Sequence, residues 1–141
     1  MTLLHASLVA FGTVGVLIRG PSGSGKSQLC LQLMDRNASL VADDQVKLSV
    51  DNNTLMGKAP EALAGMLEVR GLGLLKYPLV HEAEIKLVVD LRAFAEIPRM
   101  PEPQDMRVEI SGFNVHRFYL DPKAPAAPQR VQAALNFFQL R

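Results

Sequence analysis

Gly20-Pro21-Ser22-Gly23-Ser24-Gly25-Lys26-Ser27 satisfies the pattern G-x-x-x-x-G-K-[ST] in full. Glycines at these spacings let backbone N–H groups turn inward around an anion with no Cβ in the way. A helix opening after Gly25 adds its free N–H groups and the positive end of its dipole. Lys26 supplies a mobile charge for the outer phosphates of a nucleoside triphosphate, and the Ser27 hydroxyl is placed to hold Mg²⁺. All eight residues, Gly20, Pro21, Ser22, Gly23, Ser24, Gly25, Lys26 and Ser27, are therefore candidates for gripping the nucleotide.

Two carboxylates follow. Asp43 and Asp44 close the short apolar run Leu40-Val41-Ala42, 17 and 18 residues after Lys26. One acid at such a strand end can hold magnesium through water while its neighbour takes a proton from an attacking hydroxyl. Solvated aspartates in a strand-end turn are the competing reading. Glu68, ahead of the Gly71-Leu72-Gly73 break, is a hard oxygen ligand of the kind magnesium prefers. Its competitor is a surface ion pair with Arg70 on one strand face. His81 and His116 lack metal-ligand spacing and carry no functional expectation.

These residues need elements to hold them. Leu3–Val9 and Thr13–Arg19 read as short strands around Gly12, and Leu29, Leu33 and Met34 give the helix after the glycine-rich loop its apolar spacing. Polar Asp35-Arg36-Asn37 should end it. Asp51-Asn52-Asn53 and Ser111-Gly112 read as hairpin turns, and Ile85–Leu91 is a strongly strand-like run. Pro128 suits a first helical turn, with Val131, Leu135 and Phe138 forming an apolar stripe behind it. Many strands with two helices do not fit strict alternation. A mixed sheet in an α/β fold does.

The chain has 141 residues, 48% hydrophobic and 21% charged, which is the usage of one globular domain, read here as 1–141. With 15 Lys+Arg against 14 Asp+Glu, the net charge of +1 gives no general attraction to nucleic acid or to an anionic membrane. A single cysteine, Cys30, forms no internal disulfide. The longest apolar-leaning stretch, Ala6–Ile18, falls short of the roughly 20 residues that span a bilayer. A cytoplasmic protein is the expectation.

His5, GPSGSGKS at Gly20, LVADD at Leu40 and LEVRGLG at Leu67 stand in the order and spacing of the HPr kinase/phosphorylase family, which this sequence resembles. The likeness is clear over residues 4–75 and weak beyond them. It implies the C-terminal catalytic domain alone, with the P-loop-containing, PEP carboxykinase-like fold of that family. It further implies an enzyme that uses ATP and Mg²⁺ to phosphorylate a serine of an HPr-like phosphocarrier, and that removes the phosphate by phosphorolysis to pyrophosphate. Under the resemblance Lys26 contacts the phosphates, and Ser27 and Glu68 hold magnesium. Asp44 becomes the proton acceptor, His5 sits beside the reacting phosphate, and Arg70 serves both activities. A later catalytic arginine falls on Arg99. A homo-oligomer, a hexamer in the family, is implied as well. Gln28 departs from the glutamate common after the loop serine, and residues 113–128 match the family's dephosphorylation region poorly.

Two other readings stay open on the residues alone: a kinase for a small metabolite, and an ATP-binding sensor without turnover. The absence of a long Arg-rich segment after Asp44 favours a protein substrate over a metabolite.

Overall fold

In the computed structural model, which describes residues 2–78 and 80–141, the sheet is organised around one long strand, Ala83–Leu91. In chain order the elements are β1 (Thr2–Leu4), β2 (Ala6–Phe11), β3 (Val14–Arg19), α1 (Lys26–Met34), β4 (Ser39–Ala42), β5 (Val46–Asp51), β6 (Thr54–Lys58), β7 (Met66–Val69), β8 (Gly73–Lys76), β9 (Ala83–Leu91), β10 (Arg107–Ile110), β11 (Phe113–Leu120) and α2 (Ala127–Phe137). Nine described strands form one sheet, with the path β1-β5-β6-β9-β3-β2-β4; β7 and β8 pair separately. β9 runs parallel to β3 along one side. On its other side it meets β6 antiparallel at Ala83 and Glu84, then β11 in parallel from Leu87 to Leu91. Among the described residues the chain thus builds a mixed sheet with two α-helices.

Sequence explains the turns. Asn52 and Asn53 both have positive φ (49° and 62°), the geometry that a two-residue hairpin between right-twisted strands demands, and asparagine tolerates it. Asn37 (φ 76°) closes α1, letting Ala38 N–H donate to the Leu33 carbonyl. Pro128 falls in the first turn of α2, where its missing N–H costs nothing.

Strands β2 and β3 are buried along nearly their whole length because both faces are covered. On one face Val9, Val16, Ile18, Leu87 and Val89 pack with Leu29 and Leu33 of α1 and Val131 and Leu135 of α2. On the other, Leu8, Leu17 and Val88 meet Val46, Leu55, Ile110 and Val115 from the β5–β6 and β10–β11 hairpins. Each fully buried leucine contributes about 2 kcal/mol, so α1 is held by Leu29 and Leu33 rather than by its caps, which have no side-chain hydrogen bond. Two expectations shift. The strand expected over Leu3–Val9 is broken at His5 into β1 and β2, and Arg70 lies in the turn beyond β7 rather than on its face.

Candidate active site

β3 ends at Arg19, the loop runs from Gly20 to Gly25, and α1 opens at Lys26. The loop's backbone is tight: Ser24 N–H donates to the Pro21 carbonyl at 3.1 Å, and Gly23 and Gly25 sit at φ 79° and 104°. At Gly20 a Cβ would come within 2.5 Å of Ser24 Oγ, and at Gly25, whose φ of 104° strains any other residue, within 3.0 Å of Pro122 Cγ, so a side chain at either position would push its neighbours aside. Lys26 is buried, and its ammonium donates to the carbonyls of Gly20 (2.8 Å) and Pro21 (3.1 Å). Ser24 Oγ is buried and has no hydrogen-bond partner among the described residues. A cradle with an unpartnered hydroxyl and a lysine turned across it has the donor chemistry of an anion site.

β4 delivers the two aspartates beside this loop, in opposite ways. Asp43 is 7% exposed, and its carboxylate accepts from two hydroxyls. Ser27 donates to Oδ1 at 2.8 Å and to Oδ2 at 3.0 Å, and Ser7 of β2 donates to Oδ1 at 2.8 Å. Glu68 N–H of β7 approaches Oδ2 at a long 3.4 Å. Asp44 turns outward at φ 68°, its N–H donating to Ser7 Oγ, and its Oδ1 lies 2.8 Å from His5 Nε2. Both members of that pair are exposed. Neutral His5 donates through Nε2 and protonated His5 makes an ion pair; either form fixes the carboxylate's direction.

Below this web lies Cys30, fully buried in α1. Burial, reinforced by the negative charge of Asp43, pushes its thiol well above the ordinary range.

On the opposite side of the loop the carboxylate of Asp90 in β9 is clamped by arginines. Arg19 Nε and Nη2 donate to its two oxygens at 2.7 and 2.9 Å, and Arg117 Nη1 donates at 2.7 Å. Burial alone would push the Asp90 carboxyl up; the hydrogen bonds and charges of Arg19 and Arg117 outweigh it and hold the group below the usual carboxylate range. The Asp90 hydrogen bond in turn raises Arg19. Arg92 and Arg117 both lie over the Tyr119 ring, at 3.9 and 4.2 Å.

The sequence-predicted residues are therefore brought together in part. Lys26, Ser27, Asp44 and His5 meet around the glycine-rich loop, and the Glu68 backbone joins them while its side chain is exposed. Arg70 and Arg99 are exposed on loops, and among the described residues neither makes an ion pair or hydrogen bond. No Glu68–Arg70 pair forms. Sequence reasoning left Asp43 without a fixed role and overlooked Ser7, Asp90, Arg19 and Arg117. The signal for Ser7 was a lone hydroxyl in the apolar run Ala6–Phe11.

The family model for the HPr serine kinase C-terminal domain matches residues 1–124. The chain belongs to that family. The match extends well past residue 75, so the likeness carried by the N-terminal motifs continues through β9, β10 and β11. An HPr kinase/phosphorylase of Geobacillus kaustophilus is 45% identical over 143 residues, covering 96% of this chain and 44% of that protein. Another, of Clostridium acetobutylicum, is 40% identical over 102 residues, covering 67% and 34%. The chain thus spans about a third to under half of the curated relatives it matches. The solved HPr(Ser) kinase/phosphatase of Coxiella burnetii superposes with a TM-score of 0.85 at 28% identity, covering 99% of this chain and 92% of that one. Among the described residues no helix is long and apolar enough to cross a membrane.

Proposed function

We propose that the domain is an ATP-dependent protein-serine kinase acting on an HPr-like phosphocarrier, with phosphorolytic dephosphorylation as its reverse chemistry. The observation that carries this reading is the pairing of Ser27 with Asp43 and of His5 with Asp44, all beside the glycine-rich loop. The names of the relatives above support the substrate.

The residues fit magnesium. A hydroxyl on Ser27, a buried carboxylate on Asp43 and an exposed carboxylate on Glu68 are all hard oxygens, and Mg²⁺ characteristically takes one or two carboxylates and completes its shell with water and phosphate. When bound, the ion would neutralise charge on the phosphate oxygens.

The loop amides and Lys26 hold the triphosphate, Lys26 exchanging the Gly20 and Pro21 carbonyls for phosphate oxygens. Asp44, aimed by His5, accepts the proton of the substrate serine as its Oγ attacks the γ-phosphorus and the bond to the β-phosphate oxygen breaks. In the reverse direction protonated Asp44 returns the proton to the serine oxygen while inorganic phosphate displaces it, releasing pyrophosphate. Arg70 and Arg99 are assigned to the charge that spreads over the transferred phosphoryl oxygens.

The test is incubation with γ-labelled ATP, Mg²⁺ and an HPr-like protein, followed by unlabelled phosphate. Label should enter a serine and leave as pyrophosphate. Asp44→Asn should bind ATP normally yet lose transfer by roughly a hundredfold or more. Normal transfer by that variant removes the proton-acceptor role, and label that never reaches a serine removes the kinase reading.

A further inference from the structure

We propose that the exposed ring of Phe94, on the loop after β9, is the stacking platform for the nucleobase of the bound triphosphate; this rests on the nucleotide reading above and extends it to the other end of the ligand. Ser27, Asp43, Asp44 and His5 place the reacting phosphate on the β2–β4 side of the glycine-rich loop. A nucleotide whose outer phosphate points that way sends its nucleoside across the loop, towards the strands on the other flank of β3. Those strands are β9 and, beyond it, β11, both parallel to β3 and both ending at the same edge of the sheet. Ligands of open α/β sheets characteristically lie along that edge.

The exits of β9 and β11 border the loop directly. A Cβ on Gly20 would lie 3.1 Å from Leu91 Cβ, and one on Gly25 would lie 3.0 Å from Pro122 Cγ. The two exits are also fastened to each other. Arg92 N–H donates to the Leu120 carbonyl at 3.0 Å, and the Asp121 carboxylate accepts from Phe94 N–H at 3.1 Å and from Lys123 N–H at 2.9 Å. Phe94 is therefore carried on a backbone pinned to the segment that touches Gly25. The residue is 64% exposed, and its ring takes part in no aromatic pair among the described residues. The neighbouring guanidiniums of Arg92 and Arg117 already lie over Tyr119, whereas among the described residues no cation lies over Phe94. An aromatic face stacks any base, a contact that alanine substitution removes measurably.

Calorimetric titration of the whole chain with ATP and, separately, with inorganic tripolyphosphate in Mg²⁺ tests this, because the second probe has the phosphates without the nucleoside. Phe94→Ala should weaken ATP about tenfold and leave tripolyphosphate unchanged. Phe94→Tyr should restore ATP binding, and Phe137→Ala, removing a comparably exposed ring from α2, should alter neither ligand. Unchanged ATP binding in Phe94→Ala, an equal loss for both probes, or no rescue by tyrosine overturns the proposal. If the native protein binds tripolyphosphate as tightly as ATP, the platform alone is refuted and the phosphate cradle stands. If it binds neither, the nucleotide reading falls and the platform with it.

Discussion

Asp43 and Asp90 stand at strand ends on opposite sides of the same loop, and they are held by different chemistry. Asp43 accepts from the neutral hydroxyls of Ser7 and Ser27 and has no cationic partner among the described residues. Asp90 is gripped by two guanidiniums, three hydrogen bonds in all. A carboxylate satisfied by neutral donors keeps its charge available to an arriving cation. One neutralised by arginines has no charge left to offer, and serves to lock β3, β9 and β11 in register just before Gly20. Burial does not separate them; the partner's charge does.

Replacing each acid by its amide sharpens the contrast. Asp43→Asn keeps an oxygen for the two hydroxyls but removes the charge. Transfer should fall by about ten- to a hundredfold and the Mg²⁺ concentration for half-maximal rate should rise, with the melting temperature little changed. A large fall in melting temperature with an unaltered Mg²⁺ dependence would make Asp43 structural. Asp90→Asn should do the reverse. It leaves two arginines without their counter-charge and should lower Tm by roughly 5–10 °C, at unchanged Mg²⁺ dependence. Because the folded-state pKa of Asp90 is depressed, its stabilisation is complete above the ordinary carboxylate value and disappears as pH falls through the lowered one. The native protein should therefore lose more Tm on acidification below about pH 4 than the Asp90→Asn variant does; parallel curves would refute the clamp.

The smallest effect belongs to His116, which stacks on Phe138 at 4.4 Å and meets Arg107 at 3.1 Å. Burial, then the Arg107 charge, pushes its pKa down. The unfolded chain then takes up the proton first, so stability should slip as pH falls below the ordinary histidine range. Differential scanning calorimetry should show a drop of about 1–2 °C between pH 7 and 5.5 that His116→Phe abolishes.

The two sides also differed in how far sequence revealed them. The loop and its reacting flank are local: a motif of eight consecutive residues and a strand-end acid pair. Such features are set by backbone chemistry over a few positions. Pairing between distant strands is not, and the Asp90 clamp joins residues 71 and 27 positions apart, through a strand order that no local pattern encodes. The same holds for Ser7 and Asp43, which meet only because β2 and β4 are neighbours. The division of labour between Asp43 and Asp44 depended on one backbone angle, the positive φ at Asp44, and aspartate is permitted that angle without advertising it.

The protected sulfur of Cys30 has a practical consequence. Held neutral and sealed beneath the helix that follows the glycine-rich loop, the chain's single sulfhydryl is a poor target for oxidants and alkylating reagents while the fold persists. It becomes reactive only when that helix lifts away. The molecule thus carries its own chemical gauge of opening, read by the moment a maleimide first attaches.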